Sequence, residues 1–183
     1  MRRYPIEHGK QTVHGFGFMG KLVIKKRHAL RKSDANRLKK RLYAEIGTEA
    51  EQYLARSIEV AETNSDTKIY LVDKKPFLLE MNNVIFPTLY GTLEFPMTVR
   101  QIVVDMGAVS FVVNGADIMR PGVIAVTSDV LQDHPVVIVD ERHKKPLAIG
   151  TALYSADELM AQASGKVVKT WHYVGDEIWN LAL

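Results

Sequence analysis

Ten cations lie between residues 21 and 41: Lys21, Lys25, Lys26, Arg27, Arg31, Lys32, Arg37, Lys39, Lys40 and Arg41, with Asp34 as the one acid among them. Side chains of this type in this density neutralise phosphates and release counterions, which gives affinity that falls steeply with salt and carries no sequence information. A solvated helix face is the plainer reading, but such a face normally mixes signs, and this one does not. From Met1 to Leu42 there are 13 Lys and Arg against two acids, a balance of +11, while the remainder carries 11 against 19, a balance of −8. That asymmetry is expected where one surface meets phosphate and the rest does not.

A second set of groups lies further along. Arg120 stands between Met119 and Pro121-Gly122, where a planar, multi-donor cation on a stiff turn could clamp a phosphate or stack on a base. Trp171, Tyr173 and Trp179 form either a stacking platform or the apolar closure of a small core, and the second has the better prior. Alternation places Trp171 and Tyr173 on one face and sends His172 the other way, to the surface or an edge.

Catalytic chemistry finds little support. The chain contains no cysteine, so thiolate catalysis, disulfides and cysteine metal sites are excluded, and its six histidines form no His-x-x-x-His pair. No Gly-x-Ser-x-Gly, Walker-type loop or His-Glu-x-x-His occurs, and Asp105, Asp117, Asp129 and Asp140 match no ligand spacing. A non-catalytic protein without metal or cofactor is expected. No apolar run approaches the roughly 20 residues that span a bilayer, so the cytoplasm is the expected location and no membrane partner is expected.

The elements that must position these groups can be read from periodicity. Residues 1–18 lack periodicity and are set aside as a leader or tail, leaving an N-terminal unit over 19–96 and a second over 97–183. Ser33 is the expected N-cap of a helix showing Ala35, Leu38, Leu42 and Ile46 to the core, ended by Gly47. Thr48 and Glu51 have capping-box spacing and predict a second, antiparallel helix carrying Ala50, Leu54, Ile58 and Ala61. Strands are expected over 69–72, 77–81 and 84–86, forming a hairpin or meander covered by both helices. After Pro96-Met97 come expected strands over 100–104, 123–126, 136–140, 147–153, 167–173 and 178–181. Ser155 and Glu158 cap one further helix. Between Val104 and Val123 the chain turns twice. A short helix over 107–113 exits through Asn114-Gly115, and Pro121-Gly122 turns it again, with glycines permitting close backbone approach.

Here a family resemblance enters. Val104-Asp105, Gly107-Ala108, Gly115-Ala116, Ile118-Met119 and Pro121-Gly122-Val123 resemble the start of a PUA domain, a small β pseudo-barrel. His172-Tyr173, Gly175-Asp176 and Ile178-Trp179, with Phe86-Pro87-Thr88-Leu89 upstream, resemble the malignant-T-cell-amplified-sequence proteins and their archaeal relatives. The expected fold is therefore α+β: an N-terminal two-helix, antiparallel-sheet domain followed by a C-terminal PUA pseudo-barrel. The resemblance implies an RNA groove at Gly107, Ala108, Asn114, Gly115, Ala116, Asp117 and Arg120; from their charge alone, Lys25, Lys26, Arg27, Arg31 and Lys32 are expected to supply phosphate contacts. Asp117 would accept from a base or a 2′-hydroxyl, and Met119 is expected in the core. Implied partners are tRNA or rRNA, the small ribosomal subunit and a translation factor, in initiation, reinitiation or recycling. The alternatives are an RNA-modification enzyme or accessory that uses the PUA domain for targeting, and a protein-interaction adaptor.

Overall fold

A computed structural model of the protein describes residues 21–54 and 57–181; the leader expected over 1–18 lies outside the described residues. The first unit is a five-stranded antiparallel meander in the order β1-β2-β3-β4-β5, formed by Ile24–Ala29, Ile58–Thr63, Lys68–Val72, Lys75–Met81 and Val84–Pro87. Two of its hairpins are closed by residue pairs with positive φ, Asp73-Lys74 and Asn82-Asn83. Two-residue turns of that kind match the right-handed twist of the flanking strands, and Asn and Asp tolerate the left-handed region best. Helix α1 (Lys32–Ile46) covers one face, burying Leu38, Leu42 and Ile46 against Ile58, Val60, Tyr70, Val72 and Leu78. The opposite face buries Ala61, Ile69, Leu71 and Leu79 against Leu22 and Ile178.

Several expectations are corrected here. The cap of α1 is Arg31 rather than Ser33, which lies inside the helix. The second helix does not form: Gly47–Tyr53 is a 3₁₀ turn, and Ile58 and Ala61 belong to β2. Ile58 and Val60 alternate with Glu59 and Ala61 across the two faces of a sheet buried on both sides, and that burial overrides the helical spacing. Strand β1 was not expected either, because an exposed run of cations shows no alternation.

The second unit begins after a short helix α2 (Leu89–Glu94), capped by Thr88, whose hydroxyl accepts from Gly91 N. Its strands are β6 (Gln101–Val104), β7 (Ile118–Met119), β8 (Val123–Val126), β9 (Pro135–Asp140), β10 (Pro146–Ala152) and β11 (Lys166–Tyr173), with α3 (Met106–Val112) and α4 (Ala156–Ala161) between them. The order is β7-β11-β10-β9-β6-β8, antiparallel except for the parallel pair β6 and β9. The two end strands, β7 and β8, are joined by Arg120–Gly122 alone, so the sheet curls into a nearly closed barrel. The period of two divides β9 and its neighbours between two cores: Val136, Ile138, Ile102, Val104 and Ala148 fill the barrel, whereas Val137, Val139, Val103 and Ile149 pack toward α1 and the first sheet. Ser155 and Glu158 form the expected capping box.

The expected closing strand over 178–181 is absent. Asp176 takes Tyr173 N and Trp179 N on its two carboxylate oxygens and turns the chain instead. His172, expected at the surface, is fully buried at the seam between the units: Leu89 N donates to its Nε2 at 3.2 Å, and its Nδ1 meets Asp176 Oδ2 at 2.8 Å. The reason is a β-bulge, in which Ile149 pairs with His172 and Gly150 with Thr170. Trp171 is the extra residue. It packs toward the first unit while Tyr173 packs with the barrel core, so the two aromatics do not share a face.

Candidate nucleic-acid interface

The turn-rich stretch folds around the N-terminus of α3. Asp105 caps the helix by accepting Ala108 N at 2.8 Å, and its own N–H donates to Gly122 O at 3.0 Å, which ties the Arg120–Gly122 turn to the helix start. A Cβ on Gly122 would come within 3.1 Å of Ala108 Cβ, so the two backbones meet closely here. Gly107 is exposed and Ala108 half-buried. At the far end Asn114 Nδ2 donates to Ser110 O, and Gly115 leaves the helix at φ 83° with the Tyr173 ring where a Cβ would be, 2.6 Å away. The glycines at the two ends of α3 thus bring backbone to the rim of the barrel. At Gly115 and Gly122 the space is taken by Tyr173 and Ala108, so these two glycines serve the chain's own packing, and Gly107 is the exposed one.

Three residues nominated for this rim, Ala116, Asp117 and Arg120, are occupied with the chain itself. Asp117 accepts from Thr170 N at 2.9 Å through Oδ1 and pairs with Lys166 through Oδ2, while Ala116 O accepts from Thr170 Oγ1. Both hold β7 to β11. Arg120 donates to Val123 O at 3.0 Å and Met160 O at 3.2 Å, bridging β8 and the end of α4. Its substitution by methionine, which keeps the apolar stem, is expected to cost about 1–2 kcal/mol by leaving two carbonyls without donors. Chemical denaturation checks this; a midpoint unchanged in both urea and guanidinium would remove the bridging role. Met119, expected in the core, is 50% exposed, and Phe111 on α3 is 68% exposed. Phe111 lies in the stretch 108–113, apolar apart from Ser110, where sequence alone does not distinguish the apolar residue that turns outward from those that pack inward.

The N-terminal cations are sorted by β1 and α1. Lys25, Lys26, Arg31 and Lys32 are exposed and carry no ion pair among the described residues, while Arg27 pairs with Glu59 at 2.6 Å. Lys26 lies opposite Glu62 and His28 opposite Val60 in the ladder, which places both on the α1 face, and Arg27 lies opposite Ala61 on the other. On α1, Asp34, Arg37 and Arg41 form one flank at helical spacing. Between that flank and the sheet is a cleft of about 230 Å³ lined by Leu30, Arg37, Val60, Glu62, Lys68 and Tyr70 among others. Its floor holds Glu80, 6% exposed, whose carboxylate takes Arg41 at 2.7 Å and the Tyr70 hydroxyl. Burial pushes the Glu80 carboxyl up, but the hydrogen bonds from Arg41 and Tyr70 outweigh it and leave the group below the ordinary carboxylate range. Burial, then the Glu80 bond, raises the Tyr70 phenol. A lone acid in the apolar run Phe77-Leu78-Leu79-Glu80-Met81 was the available signal for this site.

Known proteins resemble the chain over both units. A family model described as the PUA domain matches residues 100–174, and one described as a domain of unknown function, DUF1947, matches residues 26–93. An uncharacterized protein of Methanocaldococcus jannaschii is 38% identical over 160 residues, covering 87% of this chain and 98% of the relative. Translation machinery-associated protein 20 of Eremothecium gossypii is 29% identical over 132 residues, 69% of this chain and 73% of that protein. The malignant T-cell-amplified sequence 1 homolog of Drosophila melanogaster is 34% identical over 97 residues, 51% of this chain and 53% of that protein. Among solved structures, a hypothetical protein of the archaeon Pyrococcus horikoshii superposes with a TM-score of 0.78 at 33% identity, over 84% of this chain and 98% of that one.

Proposed function

The chain belongs to the family of these archaeal PUA-domain proteins, and from that premise we propose that it is a non-catalytic RNA-binding protein of the translation machinery. Its RNA is tRNA or rRNA of the small ribosomal subunit, bound in the cytoplasm during initiation, reinitiation or recycling alongside a translation factor. The two working units divide near Pro96-Met97. One observation carries the reading: a PUA barrel with a glycine-lined rim is joined to a unit whose exposed Lys25, Lys26, Arg31 and Lys32 have no acid paired to them among the described residues. Uncompensated surface cations self-repel, and a polyanion relieves that repulsion. The names borne by its relatives, translation machinery-associated protein 20 above all, support the choice of translation.

Filter binding of tRNA and small-subunit rRNA across a salt series tests it. With four or so phosphate contacts the logarithmic salt slope should be about −3 to −4, with micromolar or tighter affinity at low salt. Absence of binding to both RNAs at low salt overturns the reading.

A further inference from the structure

The α1 face of the first sheet forms a groove whose walls and floor differ in sign. Lys26 and His28 share that face on the outer strand, just beyond the cleft's lining, and Arg37 lines it from the helix, paired with Asp34 at 3.1 Å on its exposed side. Lys68 lies at one end, within 3.7 Å of Glu80. Inside, the carboxylate of Glu80 is satisfied by Arg41 and Tyr70, but the side chain of Glu62, a half-buried residue lining the cleft, has no hydrogen bond or ion pair among the described residues. A carboxylate in that position repels phosphate and accepts from an amine. Cations at a rim around an acidic floor therefore suit a ligand with phosphates outside and an amino group inside, as in a nucleotide splayed out of a single strand.

We infer that this cleft seats one unstacked nucleotide of a single-stranded RNA segment, with Lys26, His28 and Arg37 on its flanking phosphates and Glu62 on the exocyclic amine of the base. The inference rests on the RNA-binding reading above and adds a place and a chemical preference to it. It divides the basic belt: Lys26 and Arg37 contact RNA. Lys32 and Lys39, seven residues apart on the other flank of α1, lie outside the cleft and take no part in seating that nucleotide. Lys39 lies 5.9 Å over the Tyr43 ring, and Tyr43 in turn bonds Glu51 in the 3₁₀ turn, away from the cleft.

The test compares two charge-matched variants of the full chain, Lys26→Glu with Arg37→Glu and Lys32→Glu with Lys39→Glu, titrated with 12-mers of oligocytidylate and oligouridylate near pH 7.5. All four side chains are exposed, and circular dichroism checks that both variants fold. The groove variant should lose tenfold or more in affinity and reduce the salt slope by about 1.4, two single-strand phosphate contacts. The flank variant should lose much less. Oligocytidylate should bind the unaltered chain about fivefold or more tighter than oligouridylate, because only cytosine offers an exocyclic amine to the carboxylate. Glu62→Ala should bring that ratio to one. Equal losses in the two charge variants, or no cytidine preference in a chain that binds both oligomers, overturns the cleft. Failure of the unaltered chain to bind tRNA, rRNA or either oligomer overturns the RNA-binding reading itself.

Discussion

Replacement of His172 by phenylalanine is expected to destabilise the protein by roughly 2–4 kcal/mol, although the side chain keeps nearly the same volume. The imidazole is fully buried and makes two bonds that phenylalanine cannot. Leu89 N is the first N–H of α2, one of the donors that a helix leaves without an internal partner, and His172 Nε2 accepts it. Because Nε2 is the acceptor, the ring proton sits on Nδ1 and is donated to Asp176. Phenylalanine would strand a buried N–H and remove one of the three donors that hold the Asp176 turn, so α2 and the C-terminal turn both loosen. For a chain of this size the melting temperature should fall by roughly 5–15 °C. His172→Gln, which retains one donor and one acceptor, should recover part of the loss. A fall of under 2 °C in the phenylalanine variant would mean that the seam is held by packing alone.

Gly91→Ala should also destabilise, by about 2 kcal/mol, against the sign that helix propensity gives. Alanine is favoured over glycine inside a helix by about 1 kcal/mol. Here the added Cβ would overlap the carbonyl oxygen of Phe77 and lie 3.2 Å from the Tyr53 ring. That carbonyl cannot withdraw freely, since it accepts Thr88 N at 2.9 Å, the bond that fixes the start of α2 on β4. Overpacking against backbone costs about 1–3 kcal/mol or more, so the steric effect exceeds the propensity gain. Denaturant midpoints measure the net sign. Faster hydrogen exchange at Leu89 N would place the damage at the α2 cap, and a stabilised Gly91→Ala would show that α2 stands further from β4 than described.

The residues that were legible in the sequence are those whose structure is local. Ser155 and Glu158 satisfy each other within one turn, and Asn114-Gly115 ends its helix as its own chemistry dictates. The PUA pattern was visible because its glycines and apolar positions fall within one short segment. Thr48 and Glu51 have the same capping spacing as Ser155 and Glu158, yet only a 3₁₀ turn follows, because Ile58 and Val60 are claimed by a sheet whose neighbouring strands, β1 and β3, lie before and after them in the chain. His172 was misplaced for a similar reason: its partner Leu89 is 83 residues away, and a bulge at Trp171 upsets the alternation on which its facing was judged. In the site, charge density announced the cations. Their sorting between two faces of β1 depends on register with β2, which no local pattern records.

Among the described residues strand β1 is an edge of the first sheet with no further strand paired to it, and from Lys25 to Ala29 it is exposed throughout. Unpaired N–H and C=O groups along such an edge form a template on which another extended chain can add, the first step toward aggregation. Four consecutive cationic or titratable side chains, Lys25, Lys26, Arg27 and His28, make that addition repulsive between copies of this protein. Lys26 and His28 are also side chains proposed above to meet phosphate, so a change that neutralises Lys26, such as lysine acetylation, is expected to weaken both the edge's protection and the proposed binding at once.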